Sequence, residues 1–350
     1  METSSETDGG LASGHVLITG GAGYIGSLLT GLLLQRGYRV TVVDSLLFGG
    51  ESLLGYWHHP RFRFLHADVC EPDCLAPSLE DCGAERGGPT CVVHLAAIVG
   101  FPACQAVGEQ VARRYNVEGT RRVFEQAEEA GADRFVFAST YSNYGLSPND
   151  EPVNEDSPLH PQSLYAETKI ESEQLLLDRA KHAATSPTVL RFSTLFGISP
   201  RTRFDLIVNQ FVLEALSRRK LIIYQRGYAR AFVHVRDVCD AICSVLEAPQ
   251  EAVRGQVFNV GSDSGNHTKD EIVELVQKHV RGVEVEYKDL TFGGDMRDIR
   301  VSFAKIRRVL GYRPAIDIEA GICEVRDAIE SGMVPQPLDR RFRNAEFIVQ

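Results

Sequence analysis

The sequence predicts a doubly wound α/β protein, a parallel sheet covered by helices on both faces, with a smaller α/β lobe toward the C-terminus. Three observations carry that expectation. Short β-branched runs alternate with longer helical patterns through the first half of the chain. Those runs are apolar at successive positions, as strands buried on both faces require. A glycine-rich turn joins the first run to the first helix, where sheets of this kind open a crevice.

The elements follow in order. His15–Thr19 (HVLIT) is the first expected strand, and Tyr24–Gln35 is a helix with Leu28, Leu29, Leu32 and Leu33 on one side. Arg39–Asp44, Arg61–His66 and Cys91–Leu95 are expected as the next three strands. A long helix is expected over about Glu109–Ala130, then a fifth strand at Arg134–Ser139. Another helix runs from about Ser163 to His182 and a sixth strand covers Thr188–Arg191. After Phe192 the pattern loosens: Gly197–Phe204 reads as a loop, Phe211–Ser217 as helix and Leu221–Tyr224 as a short strand. Val235–Leu246 is helical, and Gln256–Val260 returns as a seventh strand of the main sheet. Thr268 and Glu271 form a capping-box pair heading a helix to Val280. Ser302 is the expected cap of a helix through Leu310, and Asp317–Ser331 is the last helix.

Charge and composition exclude several classes. Lys plus Arg is 37 against 47 Asp plus Glu, a formal charge of −10, which argues against a nucleic-acid or membrane-surface binder. At 43% apolar and 24% charged residues, the 350-residue chain is globular and large enough for one big domain or two smaller ones. No apolar run reaches the roughly 18 residues that span a bilayer. The polar start, residues 1–14, lacks the regions of a signal peptide, so a disordered leader and a cytoplasmic protein are expected. The eight cysteines form no CxxC pair, so buried reduced thiols and no metal site are expected.

Thr19-Gly20-Gly21-Ala22-Gly23-Tyr24-Ile25-Gly26 has the strand–turn–helix setting of a phosphate-binding turn. Gly20 takes the tight turn, Gly23 lets a pyrophosphate approach the backbone, and Gly26 lets the helix pack against the strand. The helix N-terminus then offers free N–H groups to phosphates. Asp44 closes the second strand, placed to accept hydrogen bonds from an adenosine ribose and to repel a 2′-phosphate. NAD is therefore the expected cofactor, with Tyr24, Ile25 and Val69 completing the dinucleotide contacts. Asp68 either accepts from the adenine amino group or caps a helix. In His94-Leu95-Ala96-Ala97, small residues let a cofactor lie along the backbone, while His94 reads as structural rather than catalytic.

Tyr165 and Lys169 stand at i and i+4, on one face of a helix. A phenol with a pKa of about 10 is a poor base at neutral pH. A nearby ammonium and an oxidised nicotinamide both lower it. Lys169 can also hold the cofactor ribose. A hydroxyl from the segment 138–145, at the end of the fifth strand, would complete the site.

On the TGGAGYIG turn, HLAA, YNVEGT, STYSNYG, YAETK and RAFVHVRDV segments, in that order, the chain resembles the extended short-chain dehydrogenase/reductase superfamily in its nucleotide-sugar epimerase/dehydratase branch. The resemblance spans about residues 14–332. It implies a Rossmann-like NAD-binding domain of residues 15–192 plus about 231–262. It implies a nucleotide-sugar-binding lobe of about 193–230 plus 263–335, with 336–350 as a C-terminal tail. It further implies Thr140 as the hydroxyl partner, 25 residues before Tyr165, with Tyr165 as acid/base, Lys169 as its tuner and Asn116 as support for the active-site backbone. Substrate contacts carry over to Thr194, where many relatives have Asn, to Arg230 as a diphosphate arginine, and to Arg297. Arg201 and Arg203 read either as contacts to an anionic part of the substrate or as exposed loop cations. Cys104 either borders the sugar or is a buried structural thiol. Many members form homodimers by pairing two helices per subunit, here 109–130 and 163–182.

The resemblance also bears on the reaction. Members similar to 4,6-dehydratases carry Asp-Glu after the hydroxyl residue, and decarboxylating members keep the Glu; this chain has Tyr141-Ser142. Oxidation and re-reduction at one carbon needs neither acid, so a C4 epimerase is expected. A ketoreductase, a dehydratase and an idle NAD sensor remain as alternatives.

Overall fold

The computed structural model describes residues 14–75, 91–145, 151–224, 226–288 and 298–348. Its centre is a seven-stranded sheet in the order β10-β6-β5-β4-β1-β2-β3. These strands are Val257–Val260, Ser186–Phe192, Arg134–Thr140, Cys91–His94, His15–Thr19, Arg39–Asp44 and Phe62–His66. Every neighbouring pair is parallel. Both faces are covered: all five residues of β1 and all seven of β6 are buried. The chain winds outward from β1 through β2 to β3, then crosses to β4 on the other side of β1. The order therefore reverses between β1 and β4, and a crevice opens at their carboxyl ends. There Leu95 donates its N–H to the Thr19 carbonyl at 3.0 Å.

The helical run expected at 109–130 contains a change of pitch. It begins at Glu109–Arg113, widens into a π turn at Arg114–Glu118, and resumes at Gly119–Glu129. At this turn the Asn116 carbonyl is taken up by side-chain hydroxyls. Thr120 Oγ1 and Ser172 Oγ both donate to the Asn116 carbonyl, at 2.6 and 2.9 Å. Such turns gather at functional positions, and this one carries Asn116.

Beyond Phe192 the chain builds two small sheets. One has the order β11-β9-β7, with Asn266–Thr268 antiparallel and Thr194–Phe196 parallel to the central Ala229–His234. The other pairs β8 (Lys220–Tyr224) with β12 (Glu284–Lys288). Strands β7, β9, β11 and β12 had no clear sequence pattern, because three of them are short or half-exposed and β9 is buried throughout. Helices Ile207–Arg218, Lys269–His279 and Ile318–Glu330 enclose a separate apolar cluster around Phe196, Phe204, Val212, Leu213, Phe232 and Ile322.

The Thr268–Glu271 capping box forms as expected, with both reciprocal hydrogen bonds. The helix Ala304–Leu310 starts differently. Phe303 and not Ser302 is its N-cap; the Asp263 carboxylate takes the Phe303 N–H at 3.1 Å, and Ser302 Oγ takes the Ala304 N–H at a long 3.5 Å. No helix among the described residues is long and apolar enough to cross a membrane.

Candidate active site

The glycine turn has the shape that a dinucleotide needs. Gly20 has φ +73°, and a Cβ there would lie 2.7 Å from the Ala96 nitrogen. A Cβ on Gly26 would sit 2.5 Å from the Gly20 carbonyl oxygen, so strand, turn and helix pack with no room for a side chain. Around Gly23, by contrast, a Cβ would meet only the Gly20 oxygen, at 3.2 Å. The first helix starts there with no side-chain cap and no acidic residue in its first turn, leaving its N–H groups for a ligand. These residues fit a dinucleotide diphosphate.

Asp44 stands beside this turn. Its Oδ2 accepts the Ala22 N–H at 2.9 Å and its Oδ1 the Leu46 N–H at 2.8 Å. Burial raises its pKa, and the two backbone donors oppose that rise. The carboxylate is thereby locked at the mouth of the crevice. The Tyr24 ring is buried, and its hydroxyl donates to the Gly197 carbonyl at 2.7 Å, tying the turn to the lobe. Ile25 is half-buried and packs against the main core.

Asp68 takes the Cys70 N–H at 2.9 Å and the Tyr115 hydroxyl at 3.0 Å, so it closes a local turn, where a helix cap was the expected alternative, and ties that turn to Tyr115. Val69 is buried next to it. Leu95, Ala96 and Ala97 follow β4 and are half-buried. His94 hydrogen bonds Thr19 at 2.7 Å and Thr120 at 3.0 Å, and burial brings its pKa down to about 3. It is a neutral packing residue between β1 and the π-turned helix.

Lys169 comes from the Leu164–Arg179 helix, whose first turn is capped by Ser163. Its Nζ donates to the Ala138 carbonyl at 2.9 Å and lies 4.7 Å from the centre of the Phe137 ring. At 2% exposure, burial lowers its pKa to about 8. Tyr165, one turn earlier on the same helix, is half-buried and packs against the cluster of Ile98, Ala103, Cys104 and Ala112. Thr140 ends β5 and is 7% exposed; its Oγ1 accepts the Ser142 N–H at 3.1 Å and donates to Ser142 Oγ at 3.0 Å. Asn116 is fully buried and clamps two elements. Its Oδ1 accepts the Ile98 N–H at 2.8 Å, and its Nδ2 donates to the Ile98 carbonyl and to Thr168 Oγ1, both at 3.0 Å. Asn116 thus ties the segment after β4 to the helix that carries Tyr165 and Lys169.

In the lobe, Thr194 on β7 pairs in register with Phe232 on β9, so Thr194 and Arg230 lie on one face of that small sheet. Arg230 is buried at 2% exposure. Arg297 lies outside the described residues. Cys104 is buried, with its thiol on the Ile98 carbonyl at 3.3 Å, and burial pushes its pKa up to about 11, which makes it an inert structural thiol. Arg201 and Arg203 are not exposed loop cations: Arg201 is 8% exposed, and Arg203 makes a two-point ion pair with Asp205 at 2.9 Å.

Sequence reasoning missed three features. The Tyr141 phenol shares a hydrogen bond with the Thr194 hydroxyl at 2.8 Å, joining the end of β5 to the lobe. Glu173 and Arg191 form a buried ion pair at 2.6 Å, and Glu173 also accepts from Ser139 and Asn143. The C-terminal segment closes over the lobe loop: Phe204 donates its N–H to the Phe342 carbonyl at 2.9 Å, and Asp205 accepts the Asn344 N–H at 3.0 Å. None of these has a local sequence signal, because the partners are 18 to 139 residues apart. Among the described residues, no group of three His, Cys, Asp or Glu side chains is placed to hold a metal ion.

Residues 16–261 match the NAD dependent epimerase/dehydratase family. The chain is similar to a dTDP-glucose 4,6-dehydratase of Streptomyces griseus, with 31% identity over 323 residues that cover 88% of this chain and 92% of the relative. It is similar to a UDP-glucose 4-epimerase of Lactobacillus helveticus, with 29% identity over 322 residues, 85% of this chain and 92% of the relative. Among solved structures it resembles the dTDP-glucose 4,6-dehydratase DesIV of Streptomyces venezuelae with NAD and TYD bound, at a TM-score of 0.79 and 28% identity over 93% of this chain and 100% of that one.

Proposed function

Because the chain belongs to the NAD dependent epimerase/dehydratase family, we propose that it is a nucleotide-sugar 4-epimerase. The observation that carries this reading is the wall after Thr140. Positions 141 and 142 are Tyr and Ser, and the Tyr141 phenol is turned to Thr194. The buried acid behind Ser139, Glu173, has its oxygens engaged by Arg191, Ser139 and Asn143. Elimination of water across C5 and C6 needs a free acid and base at that wall. Inversion at C4 needs only one group that takes a proton and gives it back.

In this reading Tyr165 is that group. Its phenolate takes the proton of the sugar 4-OH as the C4 hydrogen leaves with its electron pair. NAD, when bound, would supply the hydride acceptor and then the donor. After the 4-keto sugar turns over, Tyr165 returns the proton to O4. Lys169 stabilises the phenolate, Thr140 orients the sugar hydroxyl, and Asn116 holds the backbone at Ile98 against the catalytic helix. Gly20, Gly23, Gly26, Asp44, Val69 and Leu95–Ala97 hold the dinucleotide. Thr194, Arg230 and Arg297 hold the nucleotide diphosphate sugar between the crevice and the lobe formed by 193–230 and 263–335. A guanidinium such as that of Arg230 matches phosphate oxygens two at a time. A cytoplasmic homodimer, joined through the helices at 109–130 and 163–182, completes the proposal. That face carries the Arg113–Glu109 and Arg113–Glu171 ion pairs, with Val111 exposed among them.

A panel of UDP-, dTDP-, GDP- and CDP-sugars, incubated without added reductant, tests the reading. A new C4 isomer is expected, and Tyr165→Phe should lower its formation by about two orders of magnitude or more while bound NAD is retained. A 4-keto-6-deoxy product, or a demand for stoichiometric reduced cofactor, would overturn it.

A further inference from the structure

The loop Gly197–Asp205 leaves the lobe and docks on the glycine turn through the Tyr24–Gly197 hydrogen bond. At its tip Arg201 is in an unusual state for a cation. It is 8% exposed, and among the described residues it has no carboxylate at ion-pair distance. Its guanidinium lies 4.2 Å from the centre of the Phe48 ring, and its hydrogen bond within the chain is a long one, 3.3 Å to the Arg341 carbonyl. The neighbouring Arg203 is paired with Asp205 at two points.

A buried guanidinium with one weak hydrogen bond is costly, because a charge taken out of water needs an opposite charge and several acceptors. Burial and the repulsion of Arg203 bring the Arg201 pKa down to about 10, still far above neutrality, so the cost is not relieved by losing the proton. The chain retains the charge there, and its location indicates what it meets. Phe48 belongs to the loop that follows Asp44, and Asp44 is one of the carboxylates acting on Arg201 through space. Arg201 therefore stands at the adenosine side of the crevice, on the dinucleotide half of the molecule. Arg230, which sits in the small sheet of the lobe, is on a separate element.

We propose that Arg201 is an anion clasp for the cofactor: delivered by the lobe loop that docks on the glycine turn, it grips the diphosphate of the dinucleotide from the adenosine side, beside Phe48. The first helix alone offers about half a positive charge to a group that carries two negative ones. A guanidinium from the lobe supplies the remainder and stacks its other face on Phe48. The consequence is a cofactor fastened by both halves of the protein, released only when the lobe loop lifts from the turn. The inference rests on the dinucleotide site and not on which sugar reaction the protein performs.

The test is exchange of labelled NAD from the purified holoenzyme, with ADP, adenosine and NADP as competitors, on the wild type, Arg201→Gln and Arg201→Lys. In Arg201→Gln, NAD release should be about 30-fold faster, the size of a lost charge-assisted contact. ADP should lose its advantage over adenosine as a competitor by a similar factor, adenosine itself should be unaffected, and Arg201→Lys should fall between. Unchanged NAD release in Arg201→Gln would overturn the proposal. So would an equal loss of adenosine competition, which would mean that the loop had collapsed. A loss confined to NADP would also overturn it, by assigning the cation to the ribose 2′ position.

Discussion

Lys169 shows how a single residue is adjusted for its setting. Its ammonium is held 2.9 Å from the Ala138 carbonyl in a buried site, and burial brings its pKa to about 8. In the proposed mechanism the charged form helps Tyr165 lose its proton, so the neutral form, which gains population as pH rises through 8, is the less active one. We expect kcat/KM to decline above about pH 8. Lys169→Arg keeps the charge at all accessible pH and should flatten that decline while lowering the rate overall; an unchanged alkaline limb in that variant would assign the titration to another group. The Tyr-Lys spacing that leads to this expectation was visible in the sequence, because i and i+4 share a helix face whatever the tertiary context. The depressed pKa was not visible, since it depends on what β5 and the segment after it place over the ammonium.

At the scale of elements, β5, β6 and the Leu164–Arg179 helix are joined by the Glu173–Arg191 pair. Both side chains are at most 5% exposed, and Tyr144 and Asn143 complete the hydrogen bonds. Glu173 also accepts from Ser139, the residue before Thr140. Glu173→Gln would leave the Arg191 charge buried without its counter-ion. We expect a loss of about 3–5 kcal/mol in urea unfolding, the range for breaking one side of a buried pair. A change below about 1 kcal/mol would mean that the surrounding hydroxyls and amides suffice for Arg191. Strand and helix positions in the main sheet were legible because fully apolar β-branched runs and leucine stripes encode them locally. The π turn at Arg114–Glu118 was not, since its Asn116 carbonyl is met by the Thr120 and Ser172 hydroxyls, one of them on a different helix.

For the molecule as a whole, the C-terminal segment joins the two halves. Phe342 lies 5.6 Å from Phe204 in the lobe loop, and Phe347 lies 5.4 Å from Phe48 beside the crevice. Ala345 and Ile348 pack against the same buried cluster as Tyr165. A chain ending at residue 338 should therefore melt about 5 °C lower by calorimetry and retain less NAD through repeated desalting. Equal melting and equal retention would show the segment to be a passive tail.

What the sequence determined alone is what short-range rules encode: the alternation that makes a parallel sheet, the glycine turn with Asp44 at the next strand end, and Tyr165 one helical turn from Lys169. The tertiary structure alone decided that Arg201 is buried with no carboxylate at ion-pair distance among the described residues, that Tyr141 faces Thr194, and that Asp205 is held by the Asn344 N–H. Those outcomes depend on desolvation and on pairing between groups far apart in the chain, and neither has a period or a spacing from which it can be read.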